Sequence, residues 1–94
     1  MTGDDLIGEL SVRLERLESV AVGAAERDLA RLRFRVENGP VSTLGAAAVH
    51  AIAIADELCW HSLARGDAAA FARQADLAAE LRLFGICARL LTDA

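Results

Sequence analysis

The sequence predicts an all-α fold of three helical segments, a long N-terminal helix followed by an αα-hairpin, forming a small helical bundle completed by dimerisation. Three observations lead there. Twenty of the 94 residues are Ala, the strongest helix former, and only one is Pro. Aromatic residues make up 4% and Tyr is absent, so the residues that strands favour are scarce. Apolar residues recur at helical spacings along the whole chain. They are also in excess, at 54% against about 45–50% in ordinary globular chains. A chain this short buries only about two-thirds of its unfolded surface, so a lone monomer is marginal. Residues 1–94 are read as one helical domain.

The first segment is placed at about residues 4–37. Thr2 or Asp4 can cap it, and Asp4, Asp5 and Glu9 suit the positive end of the helix dipole. Ile7, Leu10, Leu14, Leu17 and Ala21 step by three and four, the spacing of a coiled-coil seam, which continues through Ala25, Leu29, Leu32 and Val36. Two four-residue steps in succession, 17 to 21 to 25, form a stutter that unwinds a supercoil locally, and Gly23 falls inside it. The pattern reads as one long helix with a soft middle, with a break at Ser19–Gly23 as the alternative. Asn38-Gly39-Pro40 ends the segment, with Gly39 expected in the left-handed conformation and Pro40 blocking continuation.

The second segment, about 43–65, begins at Ser42 or Thr43, both good N-caps. Leu44, Ala48, Ala51, Ile52, Ala55, Leu58, Cys59 and Leu63 make a wide apolar face, yet Ala46, Val49, Ala53 and Trp60 lie round the back. A helix apolar on nearly every side is normally covered by several neighbours, which makes this the central helix. Arg65-Gly66-Asp67 is a stop and restart, Gly66 closing one helix and Asp67 capping the next. The third segment, about 67–91, carries one apolar stripe, Leu77, Leu81, Phe84, Ala88 and Leu91. A polar stripe of Arg73, Asp76 and Glu80 gives way on the same side to Leu83, Cys87 and Leu90, with Arg82 and Arg89 beside them. A polar face that turns apolar partway along a helix implies a cover there. The hairpin has roughly the size of a tetratricopeptide-type unit, but the Trp, Gly and Tyr spacings of such repeats are missing.

All ten basic residues are Arg, which together with the Ala excess reflects a GC-rich genome of the bacterial kind. The net charge of −4 argues against nucleic acid and anionic membranes as partners. The acidic start MTGDDLIGEL lacks the features of a secretory signal, and the most apolar stretch, Val41 to Ala55, is ended by Asp56 and Glu57, so a cytoplasmic protein is expected. Cys59 and Cys87 have no metal-type spacing and read as small buried apolar residues.

Three constellations are candidates for function. On the second segment His50, Glu57 and His61 stand at i, i+7 and i+11, within about 40° of one helical line, and Asp76 and Glu80 on a neighbouring helix are placed to face them. Imidazoles and carboxylates on facing helices can hold a metal or ligand, although the Glu-x-x-His unit of di-iron bundles is absent because Trp60 stands where the His would be. A solvated helix edge with an ordinary Glu57–His61 pair is the simpler reading, and no metal or other cofactor is expected. The Arg27, Arg31 and Arg35 row, with Arg33 nearby, is interleaved with Glu26, Asp28 and Glu37, and reads as a salt-bridged face that an acidic protein could meet; Phe34 is assigned to the core. Lastly, Val49, Trp60, Leu83, Cys87 and Leu90 lack cover within one chain and form the expected dimer or partner interface. No Ser or Cys is set near a His by a catalytic motif and no Gly-rich phosphate loop is present, so catalysis has little support. The function expected is a homodimeric, non-catalytic interaction module: an adaptor, regulator or small chaperone. The alternative is a helical metal- or small-ligand-binding protein, with or without enzymatic activity, using the His/Glu stripe.

Overall fold

A computed structural model describes residues 2–92, with the side chains of Leu91 and Thr92 outside the description. All-α is the class: the described residues form four α-helices and no strand. They are α1 (Gly3–Ser19), α2 (Ala24–Asn38), α3 (Leu44–Ala64) and α4 (Ala68–Thr92), with a 3₁₀ turn at Val41–Thr43 leading into α3.

The first segment is therefore not one long helix. The chain reverses at Val20–Gly23, where Gly23 has φ 64° and ψ −132°, the mirror image of extended backbone, which glycine alone adopts freely. Before it, Val20 N–H donates to the Leu17 carbonyl at 3.1 Å and Ala21 N–H to that of Glu18 at 3.2 Å, so α1 tightens into i→i+3 bonds as it ends. The two halves of the seam now face each other: Leu10, Leu14 and Leu17 of α1 are buried, as are Leu29, Leu32 and Val36 of α2. Arg33 holds Glu18 across this hairpin at 2.6 Å. In a continuous helix those residues would lie about 22 Å apart.

Thr2 caps α1 in a reciprocal box. Its hydroxyl accepts from Asp5 N–H at 3.3 Å while the Asp5 carboxylate accepts from Thr2 N–H at 3.0 Å. The Thr2 backbone N–H foremost, with the Thr2 hydroxyl beside it, holds the Asp5 carboxyl below its ordinary pKa. The stop after α3 also follows the sequence reading: Gly66 has φ 73°, its N–H donates to Leu63 O, Asp67 N–H donates to Ser62 O, and Asp67 Oδ1 then caps α4 through Ala70 N–H at 3.1 Å.

Two ends differ from expectation. Gly39 is extended, φ −109° and ψ 171°, because the residue before a proline is pushed out of helical conformations. Glycine is needed there for room, since a Cβ would lie 2.6 Å from the Arg35 carbonyl oxygen. Thr43 precedes α3 without capping it by its side chain; the hydroxyl donates instead to Pro40 O at 2.7 Å and stabilises the 3₁₀ turn.

The α1–α2 hairpin packs on the α3–α4 hairpin, with α1 against α4 and α3, and α2 against α3. A hydrophobic cluster forms the core, to which α3 contributes Leu44, Ala48, Ala51, Ala55 and Leu58, and α4 contributes Ala78, Leu81, Phe84 and Ala88, with Leu77 half-buried against it. Leu63 is exposed rather than inward, because Ser62 takes the core position one residue earlier. Ser62 Oγ donates to Gln74 Oε1 at 2.6 Å, and Gln74 Nε2 donates to the Val20 carbonyl at 3.1 Å. One buried amide thus joins α3, α4 and the turn between α1 and α2.

Candidate functional site

The outer side of the α3–α4 hairpin, away from α1 and α2, carries several exposed apolar residues, among which stand Asp56, Asp76 and Arg82. The five residues assigned to it from sequence are all exposed, Trp60 by 70% and Leu83 by 64%, with Val49, Cys87 and Leu90 alongside. Trp60 is therefore not core. Ile86 and Leu63 join this surface and were not assigned to it from the sequence. Helical geometry explains the arrangement: Val49, Ala53, Asp56 and Trp60 follow one line of α3, and Leu83, Ile86, Cys87 and Leu90 share one side of α4. Between the helices lies a shallow cavity of about 230 Å³, in which Val49, Ile52 and Ile86 stand over Gly45, Ala48 and Gly85 with Arg82 and Arg89 at its edge. A Cβ built at Gly85 would lie 3.8 Å from that of Ala48, so small residues let the two helices approach here. One charge pair crosses this surface: Arg82 Nη2 meets both oxygens of Asp56, at 2.7 and 2.9 Å.

Cys87 is part of this surface and Cys59 lies beside it on α3. Neither is fully buried, contrary to the sequence reading: Cys59 is half-buried and Cys87 is exposed. Partial burial pushes the Cys59 thiol pKa up, nearby Asp56 adds to the shift and Arg82 opposes it.

The His/Glu stripe does not converge. His50, Glu57 and His61 are exposed along the side of α3 that faces α2, but they open onto two different cavities. Glu57 and His61 line one of about 420 Å³ with Asp28, Ile54 and Arg65, whereas His50, about 10 Å back along the helix from Glu57 and about 16 Å from His61, lines another. The carboxylates expected opposite them point elsewhere. Glu80 lies 3.5 Å from Arg16 and 3.8 Å from Arg13 of α1, and Asp76 is exposed on α4. Among the described residues no three His, Cys, Asp or Glu side chains are grouped to hold a metal.

The Arg row divides as well. Arg33 turns to Glu18 and Glu37, whose carboxylates, Glu18 foremost, raise its pKa further, while Arg27, Arg31 and Arg35 remain on the exposed side. Phe34, assigned to the core from sequence, is 68% exposed beside them. Leu29, Leu32 and Val36 already occupy the inward positions of α2, and Phe34 falls nearly opposite them on the helix. Phe34 and Arg35 border the His50 cavity, about 470 Å³, whose other walls include Leu32, Val36, Gly39, Thr43 and Ala47.

By length and composition alone, Val41–Ala64 is the one described segment apolar enough to cross a membrane, but Leu44, Ala51 and Leu58 along it are packed into the core. No protein-family model, curated protein or solved structure matches the chain.

Proposed function

We propose that this chain is a non-catalytic helical interaction module that acts as a homodimer, a small bundle completed by pairing of the outer α3–α4 faces. The observation that carries the reading is the exposure of Val49, Trp60, Leu83, Ile86 and Leu90 on one side of one hairpin. Soluble monomers rarely present more than a few hundred Å² of contiguous apolar surface. Two adjacent helices of about 20 residues offer a face of about 30 by 20 Å, the right order for the ~800 Å² per partner that a standard interface buries. A two-fold axis covers the same patch on both chains at once, and it is the commonest symmetry of oligomers. The large exposed Trp60 suits an interface anchor, and the Asp56–Arg82 pair supplies polar register. A role as a cytosolic adaptor, regulator or small chaperone accords with such a module.

Light scattering on Trp60→Asp and Leu83→Asp tests the surface. Each change puts a carboxylate into the proposed seam and lowers the mass in solution relative to the wild type. Two folded, soluble variants that keep the wild-type mass would remove the basis for the reading.

A further inference from the structure

The cavity between the C-terminal half of α2 and the start of α3 combines three features of a ligand site. Its floor is apolar and packed, made by Leu32, Val36 and Ala47, none more than 8% exposed. The exposed Phe34 stands at its rim. At its edge stand Arg35 and His50. Its volume of about 470 Å³ lies within the ~300–1,000 Å³ range of small-molecule sites. Arg35 has no carboxylate partner among the described residues, whereas Arg13, Arg33 and Arg82 each have one. The same Arg35 and Phe34 border a second hollow with Ala30 and Arg31, whose guanidinium lies 4.0 Å from the Asp28 carboxylate.

We infer that this cavity binds a small organic anion with an apolar body. The body lies on the Leu32, Val36 and Ala47 floor with Phe34 at its rim, and its carboxylate or other anionic group meets the Arg35 guanidinium, with His50 as a second polar contact. A hydrogen bond to an ionised group contributes more than a neutral one, which is why an anion is favoured over a neutral amphiphile of the same shape. The site does not depend on the proposed dimer. His50 is turned about 100° round α3 from Val49, so pairing of the outer α3–α4 faces leaves the cavity open.

Decanoate and decanol, added separately to the ¹⁵N-labelled protein, test this inference. Decanoate is expected to bind saturably, shifting the amide signals of Gly39, Ala46, Ala47 and His50. Arg35→Gln, on an exposed helix position, is expected to weaken decanoate by about tenfold or more while leaving decanol binding and the circular dichroism unchanged. Phe34→Ala weakens both ligands. Absence of saturable decanoate binding, equal affinity of decanoate for the wild type and Arg35→Gln, or shifts confined to the Val49–Ile86 face would each overturn the inference. A monomeric protein that still binds decanoate at Arg35 would refute the dimer and leave this site standing.

Discussion

Gln74 is 2% exposed, and its amide makes both of its hydrogen bonds inside the protein, one with Ser62 and one to the Val20 carbonyl at the end of α1. Arg65 completes the group by donating to Ser62 Oγ at 3.2 Å. Replacing Gln74 with Leu preserves volume but leaves the Val20 carbonyl and the Ser62 hydroxyl to find other partners. Chemical denaturation of Gln74→Leu should show a loss of about 1–3 kcal/mol, the cost of stranding buried polar groups. Unchanged stability would mean that water or rearrangement satisfies them. This pair was not legible in the sequence. Ser and Gln read as surface residues, and the apolar pattern favoured Leu63 over Ser62 as the inward residue at the end of α3. Phe34 misled for the opposite reason, since its size favours the core while its position on the helix places it outside.

At the scale of elements, the α1–α2 turn shows where periodicity stops being informative. A seam stepping by three and four residues is equally satisfied by one long helix or by two helices folded back with their seams facing. The stutter at 17–25 and Gly23 marked the correct place, but a glycine within a helix costs only about 1 kcal/mol and does not by itself force a break. The deciding interactions are non-local: Glu18 with Arg33, Ser11 with Glu37, and Gln74 with Val20. Because Gly23 has positive φ, Gly23→Ala should destabilise the protein by about 1–3 kcal/mol in thermal or denaturant unfolding. Stabilisation would indicate a continuous helix instead. Two other helix ends were legible because their signals are local: the cap at Thr2, and Arg65-Gly66-Asp67 with its paired backbone bonds.

At the scale of the whole molecule, the protein is 42 by 22 by 16 Å, and its least dimension is about that of two helix layers. A two-layer arrangement covers one side of each hairpin. The outer side of α1–α2 carries Glu15, Arg27, Arg31 and Arg35 together with Val12 and Phe34, all exposed, while that of α3–α4 carries Val49, Trp60, Leu83, Ile86 and Leu90 together with Asp76. The apolar run on α3–α4 was legible from the sequence because each helix reports its own faces through spacing, whereas the outward Phe34 was not. How the faces meet was not, and so the His50, Glu57 and His61 line looked like one site but opens onto two cavities. If the outer α3–α4 faces pair, the exposed Cys87 is covered at high protein concentration and free at low concentration. Its reaction with a thiol reagent should then slow as protein concentration rises, whereas a rate constant independent of concentration would place Cys87 outside any interface.

The central claim is that this face is buried by a second copy, and sedimentation equilibrium of the wild-type chain at micromolar concentration tests it most directly. The account predicts twice the 10.0 kDa chain mass, with Leu83→Asp shifting the equilibrium toward the monomer. A wild-type mass of 10.0 kDa throughout, with Leu83→Asp equally folded, would contradict it.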